Sequence, residues 1–388
     1  MSQYKPWKKG VPLHQRHPFF YLKGVHALQN QKVAFCLMAG GQGTRLGCSG
    51  PKGLVQPGLL IPRCLFQIQS QRIQECCRKL NVPLPPWIIM TSNATHDETI
   101  RAFDENHRWG YPKEKVSFFK QGNLPSLNQN GEPLSLNGKL VENPDGSGGV
   151  IPALHRSGLA TFLKENHYEM IFIYNVDNLL VALCDPAYIG FHIEEQLDAS
   201  AKAILKARPD EAVGVFAENP DGKPCVLEYT DTPKELLASF EMGNAGIYAF
   251  SVDFVMRMKD EKLEKHRSWK KIPWDGDLNP EKPNGWKEET FIFDWYRFTD
   301  KFAWWEISRE NEFAPLKNAD PNPIDSPASA RRLWNQKWSN QLKEIGIHLS
   351  NDVNIDVSPE AEFWTTKKWE KWSQENQNIL SQKNIIIQ

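Results

Sequence analysis

A short apolar run followed at once by a glycine-rich turn is the feature that most constrains this chain. Residues 33–38 are apolar throughout, which is typical of a strand buried on both faces of a parallel sheet. The turn has three glycines within residues 40–43, so its backbone N–H groups can surround phosphate oxygens with no Cβ atom in the way. Arg45 and Lys52 then add positive charge. The stretch predicts a phosphate-binding loop at the end of a buried strand.

Two better-known kinds of glycine loop fit the letters poorly. A P-loop ends in Gly-Lys-Ser/Thr, whereas Lys52 is preceded by proline and followed by glycine. A dinucleotide fingerprint needs G-x-G-x-x-G and an acidic residue about 20 positions later. Here the glycine spacing differs, and no acidic residue occurs before Glu75. A loop that merely turns the chain is the alternative, and the two cations argue against it.

The rest of the first half predicts an open, doubly wound α/β sheet. Residues 87–90, 116–119 and 170–174 are apolar runs typical of buried strands, and residues 63–80 carry apolar side chains at helical spacing. In such sheets, ligands collect at the carboxyl ends of the strands. The small polar residues 91–93 follow one strand and can cap the next helix or bind a base. Gln121 follows another, with an amide that offers both a donor and an acceptor.

Asp177 ends the strand that begins at residue 170 and is the best candidate metal ligand in the chain. Burying a carboxylate there costs several kcal/mol unless it is paired or bound to a metal. Mg²⁺ prefers one or two carboxylates together with phosphate oxygens and water, so one aspartate beside a triphosphate is sufficient. The alternative is an aspartate that caps the next segment.

The second half is predicted from shorter patterns. Apolar alternation and runs indicate several short strands between residues 198 and 252, and three prolines mark residues 319–329 as a linker. A tryptophan stripe indicates an amphipathic helix over residues 330–344. The aromatic segment 291–302 is predicted to be helical, residues 303–307 a strand, and residues 353–357 an edge strand.

Several blocks together resemble the UDP-sugar pyrophosphorylases, most closely the eukaryotic-type UDP-N-acetylhexosamine pyrophosphorylases. The resemblance spans about residues 30–320, and seven blocks in the right order are more specific than any one. Beyond the glycine loop, which reads AGGQGTRLG and continues to PKG, the blocks are FFKQG (118–122), PDGSGG (144–149), NVDN (175–178), VLEY (226–229), KPNG (282–285), FD (293–294) and PLKNAD (315–320).

The resemblance implies a nucleotide-diphospho-sugar transferase fold, which is Rossmann-like and GT-A-like, with a doubly wound mixed sheet and a short C-terminal extension. It also implies roles for named residues. The catalytic residues would be Arg45, Lys52 and Lys317. The nucleotide would be bound by Ala39, Gly40, Gly41, Gln121, Gly146 and Asp177, with Asp177 also holding Mg²⁺. The sugar would be bound by Ser147, Glu228, Tyr229, Asn244 and Phe293.

The resemblance also implies a reaction, a uridylyl transfer from UTP to a sugar 1-phosphate. The closer resemblance to the UDP-N-acetylhexosamine pyrophosphorylases favours N-acetylglucosamine 1-phosphate as the acceptor. Ser147 stands where the family usually has asparagine, and a hydroxyl cannot replace both functions of an amide, so glucose or galactose 1-phosphate is the enzyme alternative. Two further functional classes stay open, namely a nucleotide-sugar-binding regulator without turnover and a dinucleotide-dependent oxidoreductase.

Length and charge set the remaining expectations. The 388 residues suffice for two or three structural units, which we assign to an N-terminal basic arm (1–32), a catalytic domain (33–320) and a short C-terminal region (321–388). A net charge of −1 argues against a general nucleic-acid binder. The first 74 residues nevertheless hold ten Lys or Arg and no acidic residue, which would attract a polyanion such as UTP. A solvated arm or an RNA-contacting tail is the alternative.

Cysteine usage and hydropathy point to an intracellular protein. The seven cysteines include no C-x-x-C pair, and no run of about 18 apolar residues could span a bilayer. We therefore expect reduced thiols, a cytoplasmic location, no membrane or nucleic-acid partner, and a monomer or homodimer.

Overall fold

The computed structural model describes residues 4–230, 232–349 and 353–388. The described strands are β1 (Lys5–Pro6), β2 (Gly10–Val11), β3 (Val33–Met38), β4 (Trp87–Thr91), β5 (Val116–Lys120), β6 (Asn123–Pro125), β7 (Ser135–Leu136), β8 (Lys139–Leu140), β9 (Glu142–Pro144), β10 (Met170–Asn175), β11 (Ala199–Leu205), β12 (Val215–Glu218), β13 (Pro224–Leu227), β14 (Met242–Ser251), β15 (His266–Lys270), β16 (Gly285–Glu289), β17 (Phe302–Ile307), β18 (Asn354–Val357) and β19 (Asn384–Ile387).

The helices pack around these strands. They are α1 (Pro18–Gln29), α2 (Leu65–Leu80), α3 (His96–Glu105), α4 (Val150–Arg156), α5 (Leu159–Glu165), α6 (Pro186–Glu194), α7 (Lys234–Leu237), α8 (Val252–Arg257), α9 (Arg309–Glu312), α10 (Pro327–Glu344), α11 (Pro359–Glu362) and α12 (Thr366–Glu375).

One mixed sheet of eleven strands organises the molecule. Its main path runs β2-β17-β11-β14-β10-β3-β4-β5, and β12 pairs with β14 and carries β1 and β13. Strands β10, β3, β4 and β5 are parallel neighbours, while β14 runs antiparallel to both β10 and β11. Every residue of β3 is buried, as its continuous apolar run predicts for a strand covered on both faces.

The parallel register brings four strand ends to one edge of the sheet. Asn175 of β10 lies opposite Met38 of β3, which in turn lies opposite Met90 of β4. Thr91 of β4 pairs with Lys120 of β5. The segments that follow these strands therefore emerge side by side, as expected for the ligand edge of an open α/β sheet.

The segment assigned to a basic arm is integrated into the fold in its described part. Strands β1 and β2 join the main sheet at β12 and β17. Helix α1 packs so closely on α6 that a Cβ added to Gly24 would lie 1.7 Å from the carbonyl oxygen of Pro186. Gly190 of α6 faces α1 with the same lack of space. Small residues thus allow the two helix backbones to touch.

The C-terminal region packs on the same core through buried ion pairs. Arg63, in the loop before α2, pairs with Asp356 of β18, and the side chains are 4% and 0% exposed. Arg72 of α2 pairs with Glu362 of α11 at 2.9 Å. Trp334 of α10 is also fully buried, in line with the predicted tryptophan stripe. The boundaries at residues 32 and 320 remain predictions.

Two local predictions differ from the structure. In the segment 291–302, a 3-10 helix covers only Ile292–Phe298, because Thr299 is extended and its hydroxyl donates to Asp198. Helix α10 begins at Pro327, three residues inside the predicted linker. Ser326 caps it by accepting the Ser329 N–H, and proline occupies the first helical position.

Candidate active site

A cleft of about 750 Å³ opens at the carboxyl edge of the parallel strands. Its wall is built by the loops after β3, β4, β5 and β10, by the segment after β9, by β16 and by the loop after α9. Among the residues predicted to act, those that line it are Gly40, Gly41, Arg45, Lys52, Gln121, Gly146, Ser147, Asp177 and Lys317. The fold thus brings together residues that are far apart in the chain.

The glycine loop is closed on itself by its own backbone. Gly43 N–H donates to the Gly50 carbonyl at 2.9 Å, and Lys52 N–H donates to the Gly41 carbonyl at 3.1 Å. A Cβ at Gly41 would have no atom within 4 Å, so this position faces open space. Arg45 is exposed on the same loop. The loop therefore presents bare backbone and one cation to the cleft.

Gly40 and Gln121 meet at the floor of the cleft. Gln121 follows β5, and its N–H donates to the Thr91 carbonyl at 2.9 Å. A Cβ added to Gly40 would lie 2.3 Å from Gln121 Oε1 and 3.4 Å from the Ser92 nitrogen. With the Gln121 amide in this position only glycine fits, because the amide occupies the space that a Cβ atom would need. This contact fixes where the amide can present its donor and acceptor.

Lys52 and Asp177 form the charged centre of the cleft. Lys52 Nζ lies 3.3 Å from Asp177 Oδ2, and the two side chains are 19% and 16% exposed. Lys52 lies in a 3-10 turn that starts after Pro51, while Asp177 follows β10. The carboxylate is therefore paired, and it still borders the cleft.

Lys317 reaches the same cleft from the loop after α9. The Leu316 N–H donates to the Asp177 carbonyl at 2.9 Å, which holds the two segments together. Lys317 Nζ lies 3.7 Å from Asp325 Oδ2, and its side chain is 50% exposed. Burial raises the pKa of the Asp325 carboxyl, opposed by the charge of Lys317 and reinforced by that of Asp177. The negative charges of Asp177 and Asp325 therefore repel each other beside the loop after α9 that carries Lys317.

The glycine-rich segment after β9 closes the opposite wall. Gly146 has φ +88°, a left-handed conformation that favours glycine, and a Cβ there would lie 2.3 Å from the Thr290 carbonyl oxygen. Ser147 Oγ accepts the Ile292 N–H at 3.0 Å. The serine hydroxyl thus anchors the 3-10 helix that carries Phe293, and its own proton remains available to a ligand.

The remaining predicted residues are not among the described residues that line the cleft. Ala39 is fully buried and donates its N–H to the Met90 carbonyl. Phe293 is buried beside Phe291 in the core, with ring centroids 5.1 Å apart. Asn244 donates to the Tyr248 hydroxyl at 3.2 Å and accepts the Gly246 N–H.

Glu228 and Tyr229 follow β13, and the Tyr229 side chain is 46% exposed. Among the described residues that line the cleft, neither of these two appears, nor do Ala39, Asn244 and Phe293. The sugar-binding roles of Glu228, Tyr229, Asn244 and Phe293 stay predictions.

Sequence reasoning missed several cleft residues. Asn175 ends β10, and its Nδ2 donates to the Gly246 carbonyl at 3.3 Å; the strand-end rule that selected Asp177 could have found it. Lys287 and Glu289 line the cleft from β16, two positions apart and hence on one strand face. No local pattern marks them, because β16 reaches the cleft through a tertiary contact between Leu127 and Trp286.

The donor set limits what metal the site could hold. Within the described residues, no three or more His, Cys, Asp or Glu side chains form a group suited to a metal ion. Asp177 offers one carboxylate beside an open cleft, which fits Mg²⁺ when phosphate oxygens and water complete the shell. Across residues 4–230, 232–349 and 353–388, the helices are all too short or too polar to cross a membrane.

Comparisons with known proteins give a consistent family. The family model described as UTP--glucose-1-phosphate uridylyltransferase matches residues 20–321. The UDP-N-acetylglucosamine pyrophosphorylase of Saccharomyces cerevisiae is 33% identical over 392 residues, covering 95% of this chain and 81% of the yeast protein. UDP-N-acetylglucosamine diphosphorylase 2 of Arabidopsis thaliana is 35% identical over 372 residues, covering 87% and 72%.

A solved structure agrees with both the family and the fold. The uridine diphosphate N-acetylglucosamine pyrophosphorylase of Trypanosoma brucei, solved with an inhibitor, matches with a TM-score of 0.87 at 27% identity, covering 100% of this chain and 86% of that one. The expected doubly wound, nucleotidyltransferase-like fold is therefore confirmed. From the match over residues 20–321, the two relatives and the shared fold, we conclude that this chain belongs to the UTP–glucose-1-phosphate uridylyltransferase family of nucleotidyltransferases.

Proposed function

We propose that this protein transfers the uridylyl group of UTP to N-acetylglucosamine 1-phosphate, forming UDP-N-acetylglucosamine and pyrophosphate. The observation that carries the proposal is the shared cleft of Arg45, Lys52, Lys317 and Asp177. A cleft lined by three cations and one carboxylate suits the joining of two polyanions. The names of the relatives support the same substrates.

The reaction is a direct displacement at phosphorus. A phosphate oxygen of the sugar 1-phosphate attacks the α-phosphorus of UTP in line, the bond from that phosphorus to the bridging oxygen breaks, and pyrophosphate leaves with the electron pair. Two anions must approach each other, so positioning and charge neutralisation dominate the catalysis. No covalent nucleophile is required.

Each cation has a place in this scheme. Arg45 and the backbone amides of residues 40–42 hold the departing β- and γ-phosphates, because this part of the loop lines the cleft, whereas the Gly43 N–H is already used by the Gly50 carbonyl. Lys52 and Lys317 neutralise the reacting phosphates, since both line the cleft and their segments both contact Asp177. Loss of one such charge is expected to cost about 10²–10³ in turnover.

The base and the metal are assigned on the same geometry. Gln121 would read the uracil edge, since its amide is held above Gly40 at the cleft floor. Asp177 is the residue that would hold Mg²⁺, and the ion, when bound, would neutralise charge on the phosphate oxygens. Lys52 keeps the Asp177 carboxylate paired and oriented toward the cleft.

The sugar preference rests on the wall around Ser147. Its oxygen already accepts the Ile292 N–H, so its O–H is left to donate to a sugar oxygen. An asparagine there would offer a longer side chain with two functions. Glucose or galactose 1-phosphate is therefore the second candidate acceptor, and the shorter serine is the observation that favours it.

The test is pyrophosphate release from UTP and Mg²⁺ with N-acetylglucosamine, N-acetylgalactosamine, glucose and galactose 1-phosphates as acceptors. We expect efficient turnover with N-acetylglucosamine 1-phosphate. A higher kcat/KM with glucose 1-phosphate would assign the alternative substrate. Silence with every acceptor, together with tight UDP-sugar binding, would favour a regulator and would refute the proposal.

A further inference from the structure

Asn178 lies behind the cleft and links the loop of Asp177 to the loop of Lys317. Its side chain is 4% exposed. Its Oδ1 accepts the Ala314 N–H at 2.9 Å and the Leu180 N–H at 3.1 Å. Its Nδ2 donates to the Glu312 carbonyl at 2.7 Å. One amide therefore satisfies buried backbone groups in two segments that are distant in sequence.

The backbone adds two further bonds between the same segments. Leu316 N–H donates to the Asp177 carbonyl at 2.9 Å, and Leu179 N–H donates to the Ala314 carbonyl at 3.0 Å. With the two bonds that the Asn178 side chain makes to this loop, four hydrogen bonds hold residues 312–316 against residues 177–179. Lys317 is the next residue, and its own N–H donates to the Asp325 carbonyl at 2.6 Å, so its main chain is placed by this set together with that bond.

Glu312 is fixed at its other end by a buried ion pair. Its Oε2 lies 2.6 Å from Nζ of Lys202, whose side chain is fully buried in β11 and is also paired with Asp185 at 2.8 Å. The Glu312 carbonyl is held by Asn178 and its carboxylate by Lys202. Because both its carbonyl and its carboxylate are bonded, Glu312 fixes the start of the loop that carries Lys317 against strand β11.

The Lys317 side chain itself has weaker support. It is half exposed, and its ammonium lies 3.7 Å from the Asp325 carboxylate. The position of the ammonium relative to a bound phosphate therefore depends on how firmly the Lys317 main chain is held. This matters because a displacement of about 1 Å can cost some 100-fold in rate.

We propose that Asn178 is a positioning residue that holds Lys317 beside Asp177 for phosphoryl attack, an inference that rests on the proposed function. Asn178 is not among the described residues that line the cleft, and it acts through Lys317. Its loss lowers kcat more than it raises the KM for UTP, because an interaction made in the transition state is lost and ground-state binding remains.

A double-mutant cycle tests this inference. We expect Asn178→Ala to lower kcat about 100-fold. In a Lys317→Ala background, the same change should lower kcat by less than about threefold, because its effect passes through the missing lysine. An unchanged kcat in the single variant, or the full additional loss in the lysine-free background, would overturn the inference.

Two further variants separate positioning from general loss of structure. Asn219→Ala is the matched control, because the Asn219 side-chain oxygen also accepts two backbone N–H groups, at 3.0 and 2.8 Å, in a turn away from the cleft. It should leave kcat unchanged. If Asn178→Ala does not fold, Glu312→Gln takes its place in the double-mutant cycle. This variant weakens the ion pair between residue 312 and Lys202 and leaves the Asn178 side chain intact. A loss in that variant that persists without Lys317 would also overturn the inference.

Hydrogen exchange keeps the outcome separate from that of the proposed function. The amides of Ala314 and Leu316 should exchange at least about tenfold faster in Asn178→Ala than in the wild type, while those of β3 should not change. Unchanged exchange at both amides would overturn the inference whatever the activity. If the wild type turned over no sugar 1-phosphate but the two amides exchanged faster in Asn178→Ala, only the proposed function would be refuted.

Discussion

Gly40→Ala should impair UTP binding with little effect on folding. The added methyl group would lie 2.3 Å from Gln121 Oε1 and 3.0 Å from its Cδ. Contacts under 3.0 Å are essentially never observed for a Cβ atom, so the oxygen must move by about 0.7 Å or more. The Gln121 side chain is flexible and borders the open cleft, so it can swing aside without disturbing the core.

The magnitude follows from what the amide loses. If Gln121 makes two hydrogen bonds to the uracil edge, each contributing about 0.5–1.5 kcal/mol, their loss weakens UTP binding by about 1–3 kcal/mol. This corresponds to an increase of about 5- to 150-fold in Kd. The preference for UTP over CTP should fall by a similar factor, because the amide distinguishes the two base edges.

Gly24→Ala is the matched control for the same substitution. Its Cβ would lie 1.7 Å from the carbonyl oxygen of Pro186, at the contact of α1 with α6 and away from the cleft. Backbone cannot yield there, so we expect a loss of about 1–3 kcal/mol in the free energy of unfolding and unchanged UTP affinity. Calorimetric titration with UTP and CTP and urea unfolding of both variants measure these effects. A Gly40→Ala variant with wild-type UTP affinity and base preference would show that Gln121 does not read the base from this position.

Three other predictions concern charge. Lys52→Met should lower kcat about 10²–10³-fold, because a charge that neutralises the reacting phosphates is lost. It should not raise the Mg²⁺ concentration needed for activity, because the cation 3.3 Å from the Asp177 carboxylate no longer competes with the metal ion. Steady-state kinetics over a Mg²⁺ series checks this, and unchanged kcat would contradict it. Arg63→Met should lower the free energy of unfolding by about 3–5 kcal/mol, because it leaves the fully buried Asp356 carboxylate without its ion-pair partner. Urea unfolding measures this loss, and adding Asp356→Asn should recover part of it. A loss under about 1 kcal/mol would show that this ion pair does not hold the C-terminal region on the core. Burial lowers the pKa of His192 from 6.5 to about 3, so the stability that the neutral imidazole contributes is present above pH 6.5 and is lost as the pH falls toward 3, by up to about 1.4 kcal/mol per pH unit. The urea midpoint of His192→Gln should therefore fall less steeply than that of the wild type between pH 6.5 and about 4. Parallel curves for the two proteins would contradict this.

The parallel half of the fold could be predicted because its signal is local. Strands buried on both faces, such as β3, must be continuously apolar, and the pattern survives whatever packs on them. The strand-end rule then selected Gln121 and Asp177, which do line the cleft. The start of α10 was missed, although Ser326 followed by proline is a local capping signal.

The far wall of the cleft could not be predicted in the same way. Lys287 and Glu289 lie on β16, whose place depends on backbone pairing between Leu127 and Trp286, and neither residue is unusual for a solvated strand. The role inferred for Asn178 depends on Ala314 and Glu312, which are remote in sequence. Contacts of this kind arise from tertiary packing, and a single sequence contains no local trace of them.

The decisive experiment compares the turnover of UTP and N-acetylglucosamine 1-phosphate by the wild type and by Lys317→Ala, with unfolding measured on the same samples. We predict pyrophosphate release by the wild type, a loss of about 10²–10³ in kcat for the variant, and equal stability of the two. A stably folded Lys317→Ala variant with near-normal turnover would show that this lysine does not neutralise the reacting phosphates beside Asp177.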